Sequence, residues 1–410
     1  MPLPANPGTP DSPRELFPRT RAERVALARR QFFEEGVRPS GLVGEAVLQS
    51  WMRCTRAHGD STRRVAFDPV TSSRLHATLN RNRELLDAAR GELQTMESSL
   101  AGTDARVLLT DAQGVIVHAT HDPNAAAQPV LSRTARVGVN IAERMVGTTA
   151  PGIVACTGQP VTVNGAEHFF DVLHGMHCAA APIRDVHGQL AAVLDVSVEA
   201  RPFAFGAAQL VALFATTIEN RLLVAQSQDR LLLRFQASPA LLGTPLEALA
   251  GIGPDGCLAW LNGAAERLIG PLDDEAPRSV AHVFGMDLQS LLCLSRGDAA
   301  QPVRLANGLG VWLQARLQAR DGVDFHHAVA LSCAGDPAAH PQAAPAADHG
   351  EASPDIAPDA SLSGHSRKLI EDTLAAHGGN ISQAARQLRV SRGTLYRRLR
   401  RLDPPFGGPG

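Results

Sequence analysis

Between residues 168 and 178 the chain places three imidazoles, a thiol and a carboxylate: His168, Asp171, His174, His177 and Cys178. Imidazole nitrogen and thiolate sulfur bind zinc and iron well. The spacing, however, matches no standard finger, and Cys178 opens an apolar run, CAAAPIRD, where a small buried thiol is ordinary. The set therefore fits the polar wall of a small-molecule pocket better than a metal centre, and neither a metal nor a cofactor is expected. Thr148 and Thr149 in the loop GTTAPG complete the candidate ligand-binding set. Asp111, Asp185 and Asp195 read as structural carboxylates at turns or strand ends. No nucleophile elbow, paired-carboxylate helix or HExxH is present to carry catalysis, so the chain is not expected to be an enzyme.

Two further motifs decide by exclusion. Gly251-Ile-Gly253-Pro-Asp-Gly256 has the form G-x-G-x-x-G, but it precedes the strand-like CLAWLN instead of following a strand, and Pro254 removes a donor amide. It reads as a β-turn, not a dinucleotide site. Of the 39 basic residues only Lys368 is a lysine, and it lies in SRKLIE. A Walker A loop needs Gly-Lys-[Ser/Thr], so P-loop ATP chemistry is excluded for these residues.

The strongest pattern is carboxy-terminal. HSRKLIEDTLAAHGGNISQAARQLRVSRGTLYRRLRRL divides into three helices, the first closed by Gly378-Gly379 and the third capped by Ser391. Ala384 and Ala385 let the last two helices approach, and Ile381, Leu388, Val390, Leu395 and Leu399 are spaced to fill the core between them. That is a helix-turn-helix. From Arg386 to Arg401 there are seven arginines and no acidic residue. Ser391, Arg392, Thr394, Tyr396, Arg397, Arg398 and Arg401 are the candidate DNA-binding residues, suited to guanine edges and phosphates. One recognition helix per chain is too little for specificity, which predicts a homodimer on an inverted-repeat operator.

These residues must be positioned by the preceding elements. At about 100–200 residues per domain, 410 residues suggest several domains. A hydrophobic content of 44% with 20% charged residues excludes wholesale disorder. No stretch approaches the ~18 apolar residues of a membrane span, and the Pro-rich start lacks the apolar core of a signal peptide. Six scattered cysteines without a CxxC fit a reducing cytoplasm. Residues 1–20 are expected to be disordered and 21–100 to form a helical leader, with one long amphipathic run over residues 72–100. Strands broken by turns at Asp111–Gly114 and Asp185–Gly188 suggest an α+β sensor over 101–202. A connecting or dimerising helix is expected over 203–235 and a second, β-rich unit over 240–334. An Ala/Pro/Asp tether should cover 335–362, the helix-turn-helix 363–403 and a disordered tail 404–410.

The segment GGNISQAARQLRVSRGTLYRRLRRL resembles the Fis-type helix-turn-helix that also ends the enhancer-binding activators of sigma-54 RNA polymerase, with Arg389 at the turn position where that family usually has Gly. Upstream, SWMRC, GTTAPG, GAEHF and CAAAPIRDVHGQLAAVLDVS resemble the amino-terminal half of the acetoin-catabolism (AcoR-like) activators, and LLGTPLEALAGIGPDGCLAWLNGAAERLIG resembles their PAS-like module. The resemblance implies a multidomain α+β chain: helical leader, GAF-like α/β sensor, PAS-like module, tether and three-helix Fis-type domain. It further implies a cytoplasmic, sequence-specific regulator partnered by double-stranded DNA, RNA polymerase and a small effector such as an alcohol, ketone or aromatic. The AAA+ ATPase of those activators, with its GAFTGA loop, has no counterpart in these residues, which predicts regulation not driven by ATP. The alternative is a non-enzymatic co-regulator that uses its helix-turn-helix only for localisation or competes with full-length sigma-54 activators.

Overall fold

The computed structural model describes residues 20–121, 125–228, 230–271 and 278–318, together with Thr373. Among these, residues 20–183 with 190–215 form one unit, and residues 184–189 with 216–318 form another. The expected tether and tail, and the helix-turn-helix apart from Thr373, lie outside the described residues, and so do all seven candidate DNA-binding residues.

The first unit begins with four helices: α1 (Arg21–Arg29), α2 (Glu45–His58), α3 (Ser72–Arg81) and α4 (Arg83–Leu100). A capping box starts α1, with the Glu23 amide donating to Thr20 Oγ1 at 3.2 Å and the Thr20 amide to Glu23 Oε2 at 3.3 Å. The run 72–100 is two helices, not one. Asn82 breaks it, turning its backbone out of helical geometry while its side chain donates to the Thr78 carbonyl at 2.9 Å. Its apolar spacing continues across the break, so periodicity alone does not reveal it.

Five strands follow: β1 (Arg106–Asp111), β2 (Ile116–Ala119), β3 (Val161–Asn164), β4 (Met176–Arg184) and β5 (Leu190–Glu199), in the sheet order β2-β1-β5-β4-β3. The turn read at Asp111–Gly114 joins β1 to β2. Gly114 is required there: its φ is +82°, and a Cβ would come within 2.9 Å of Ala142. Three short helices, α5 (Leu131–Thr134), α6 (Glu143–Val146) and α7 (Ala150–Thr157), lie between β2 and β3. Alternation along the strands puts Leu108, Met176, Cys178, Ala180 and Val193 into one core. Trp51, Leu48 and Phe67 of the leader fill that same core, together with Leu131 and Ile153 from the inserted helices. Val196 and Val198, of opposite parity in β5, are buried too. Helix α4 packs against β1, placing Leu85, Ala89, Leu93, Met96 and Leu100 along its buried stripe.

Helix α8 (Ala207–Ala225) corrects the expected 203–235 helix. It stops at Ala225, and Arg230–Gln236 is a strand, β6. The run RLLLRFQ is buried on both sides: Leu231, Leu233 and Phe235 face one core, and Leu232 faces Leu223, Leu249 and Trp260. A short run that is apolar on both faces carries no period to separate helix from strand. Among the described residues α8 alone is long and apolar enough to cross a membrane, by length and composition. It buries Val211, Phe214, Ile218, Leu222 and Leu223, as a core helix does.

In the second unit β6 is central. Together with β7 (Ala248–Ile252), β8 (Leu258–Leu261), β9 (Gln301–Arg304) and β10 (Gly310–Gln318) it forms an antiparallel sheet in the order β8-β7-β6-β10-β9. The sheet therefore starts ten residues before the expected boundary at 240. Helices α9 (Gly263–Ile269), α10 (Val280–Phe284) and α11 (Leu288–Leu294) complete the unit, the last two formed by a segment placed in the β-rich reading. The G-x-G-x-x-G run is the β7–β8 turn, closed by the Gly256 amide on the Gly253 carbonyl at 3.1 Å. A Cβ at Gly251 would run into the Trp260 ring.

Candidate functional site

In the first unit a small, partly open cavity lies against β4 and β5. Its wall is largely apolar, with Leu108, Leu131, Ile141, Val146, Leu173 and Met176 among the lining residues. Six polar side chains interrupt it: Thr134, Thr149 and a connected line of four, His168 from the loop after β3, Cys178 from β4, and Ser197 and Asp195 from β5. His168 Nδ1 lies 2.9 Å from the Gly165 carbonyl, and His168 Nε2 lies 3.5 Å from Cys178 Sγ. Cys178 Sγ in turn is 3.1 Å from Ser197 Oγ, which donates to Asp195 Oδ2 at 2.7 Å.

Protonation states follow from burial. Removal from water brings the His168 imidazole down to about 4, so the ring is neutral at pH 7. A neutral ring that donates from Nδ1 to a carbonyl has its lone pair on Nε2, facing the Cys178 thiol. Burial, and after it the nearby Asp195 charge, raise that thiol well above its ordinary value, so it is S–H and not thiolate. Burial raises the Asp195 carboxyl to about 7 against the pull of the Ser197 hydrogen bond. Its Oδ1 is buried and has no hydrogen-bond partner.

The six candidate ligand residues separate into two groups. Thr149, His168 and Cys178 line the cavity. Thr149 has its hydroxyl engaged, capping α7 through the Gly152 amide at 3.1 Å and donating to the Ile141 carbonyl at 3.2 Å. Thr148, His174 and His177 do not line it. Thr148 accepts from Ser50 Oγ at 2.8 Å in the core beneath α2. His174 lies 3.5 Å from Asp171 Oδ1, its pKa lowered by burial and by the charge of Arg29. His177 receives the Asn164 side-chain amide at 3.2 Å, while the Asn164 oxygen accepts from Arg21. The histidines therefore do not converge on a common point.

Two lining residues escaped the sequence reading. Asp195 is not at a strand end: it sits in the middle of β5, opposite Leu108, and is fully buried. Asp111 and Asp185 do serve turns, accepting backbone amides at 2.9–3.0 Å. The signal was present in LAAVLDVSVEA, where Asp195 and Ser197 interrupt an apolar run at period two and so share a face with Val193.

The leader shapes this site. Trp51 Nε1 donates to the Glu167 carbonyl at 2.8 Å, and Arg21 grips the Glu167 carboxylate through two contacts of 2.8 and 2.9 Å. Arg29 donates to the His168 carbonyl at 3.0 Å. The loop carrying His168 is thus held by α1 and α2.

Residues 20–217 match the family described as MimR, N-terminal domain, and residues 366–402 match the bacterial regulatory proteins of the Fis family. The acetoin catabolism regulatory protein of Cupriavidus necator is 30% identical over 262 residues, which cover 62% of this chain and 39% of that protein. The chain is a homologue of the AcoR and MimR transcriptional activators. AcoR of Bacillus subtilis is 26% identical, with 49% of this chain and 33% of that protein covered. The propane 2-monooxygenase operon activator MimR of Mycolicibacterium smegmatis is 31% identical, with 42% and 29% covered. The chain thus spans between a quarter and two fifths of the length of these relatives. Among solved structures, a chain of the E. coli DhaR(N)–DhaL complex aligns with a TM-score of 0.42 and 16% identity, covering 67% of this chain and 99% of that one.

Proposed function

We propose that this chain is a DNA-binding transcription regulator that answers to a small organic effector held in the cavity of its first unit. The observation that carries the reading is the cavity itself: a mostly apolar space with a few placed polar groups, the usual make-up of a small-molecule site, in a chain that also carries a Fis-family segment. Effector binding would favour one conformation of the first unit, and coupling to DNA affinity requires that the two conformations differ in their hold on DNA. Dimerisation on an inverted repeat and contact with RNA polymerase complete the proposal, which needs no ATP hydrolysis.

The test is titration of the full chain onto labelled fragments of the DNA flanking its own gene, with and without a panel of small oxygenated and aromatic compounds. A compound that changes affinity for a specific fragment, but not for random DNA, supports the reading. Specific binding that no compound alters, together with a stable complex with another protein, favours the co-regulator alternative.

A further inference from the structure

We propose that Asp195 is the specificity-determining residue of the effector cavity, its free Oδ1 pairing with a hydroxyl on a small uncharged ligand while Ser197 holds Oδ2 in place. The proposal rests on the reading of the cavity as an effector site. Buried carboxylate oxygens are nearly always hydrogen-bonded, so a single orphan facing a cavity calls for a partner that the protein does not supply. The other polar side chains in the wall have their hydrogen bonds inside the protein: Thr149 caps α7, Thr134 donates to its own helix, and His168 is engaged on both ring nitrogens. Asp195 Oδ1 is the exception. Its rotation is fixed as well, because Ser197, two residues along the same face of β5, binds the other oxygen at 2.7 Å.

The surroundings select the partner. Facing Asp195 are Ser197 of β5, Cys178 of β4, His168 of the loop between β3 and β4 and the apolar Leu108 of β1. None of them carries a charge at neutral pH, and none competes for Oδ1. Burial keeps the carboxyl near half-protonation at neutrality, so Oδ1 alternates between acceptor and O–H donor. A hydroxyl can donate to the first and accept from the second. A ketone oxygen can pair only with the protonated acid, and an ammonium only with the carboxylate, at the further cost of bringing its charge into apolar walls. A hydroxyl on a short carbon skeleton is therefore the group that fits in either state.

Three matched four-carbon probes separate these cases: 2-butanol, 2-butanone and sec-butylamine. Each is titrated into the full chain at pH 6 and pH 8 with the thermal midpoint as readout, always relative to the probe-free protein at the same pH. 2-Butanol should raise the midpoint at both pH values. 2-Butanone should bind about tenfold more weakly at pH 8, as the acid form is lost. sec-Butylamine should do least. Asp195→Val should abolish the discrimination between alcohol and ketone. Asp195→Asn, whose amide still donates, should remove the pH dependence of 2-butanone and serves if the valine variant does not fold. Alcohol and ketone responses unchanged in both variants overturn the role of Asp195 and leave the cavity reading standing. A strongest response to the amine overturns the hydroxyl assignment. No response to any probe overturns both.

Discussion

Trp51 of α2 donates its indole N–H to the carbonyl of Glu167, the residue before His168, across 116 positions of sequence. The leader thereby braces the loop that carries His168, and its Phe67 lines the cavity. Trp51 is fully buried and touches Phe32 and Phe33 at ring distances of 5.7 and 5.2 Å. Trp51→Phe should therefore leave a void and strand the Glu167 carbonyl, costing roughly 2–4 kcal/mol. Arg56→Ala, exposed on the same helix, should cost less than about 0.5 kcal/mol. Equal urea midpoints for the two variants would show that α2 is not integral to this core.

The second prediction is a pH signature with two opposing parts. His168 has a folded pKa of about 4 against an ordinary 6.5, so its contribution to stability is present above 6.5 and lost as pH falls toward 4. Asp195 has a folded value of about 7 against an ordinary 3.8, so its contribution is present below 3.8 and lost as pH rises toward 7. Between about 4 and 6.5 the two slopes oppose each other. Asp195→Asn removes one of them. The variant should gain stability more steeply than the parent from pH 4.5 to 6.5 and exceed it above pH 7, by roughly 4 kcal/mol at most. Chemical denaturation across pH 4.5–8 checks this, and parallel curves would contradict it.

What could be read beforehand divides along physical lines. The hairpin turns at Asp111–Gly114 and Asp185–Gly188, and the β-turn at Gly253–Gly256, were legible because Asp and Gly act locally there. β1 through β5 were legible because each is a bounded apolar run. β6 was not, since RLLLRFQ is apolar on both faces and follows directly on α8. The candidate ligand set came from clustering along the chain, which explains its outcome. Residues 168 and 178 meet across β3 and β4, whereas 174 and 177 point to Asp171 and Asn164. Asp195 and Ser197 reach the same cavity from a strand lying beyond the next turn. Only sheet order brings them there.

The third prediction concerns the DNA-binding residues, which rest on sequence and on the Fis-family match alone. Arg392, at the start of the expected recognition helix, should read a base edge, whereas Arg401 near its end should meet phosphate. Arg392→Ala should weaken a specific site by about 1–3 kcal/mol and relax base preference at one position. Arg401→Ala should weaken specific and random DNA alike and lower the salt dependence by about one unit of slope. Binding curves for both variants, on both DNAs, at several salt concentrations distinguish these roles. Identical losses on both DNAs would remove Arg392 from base reading.

The last prediction is that this chain hydrolyses no ATP. Its curated relatives are far longer, and the name of an operon activator invites the assumption of an ATP-driven mechanism. Phosphoryl transfer in P-loop enzymes relies on backbone amides and a lysine that cradle the β- and γ-phosphates. Lys368, the chain's sole lysine, falls within the Fis-family segment 366–402 and is preceded by Arg367, not by the glycine a phosphate-binding loop requires. The described units end at residue 318, and the stretch from there to residue 366 is shorter than an ordinary domain of roughly 100–150 residues. Purified protein should therefore release phosphate at the rate of buffer alone, with or without DNA, and Lys368→Ala should leave that background unchanged. Hydrolysis that follows the protein peak through a second column, and falls in the Lys368→Ala variant, would reverse this conclusion.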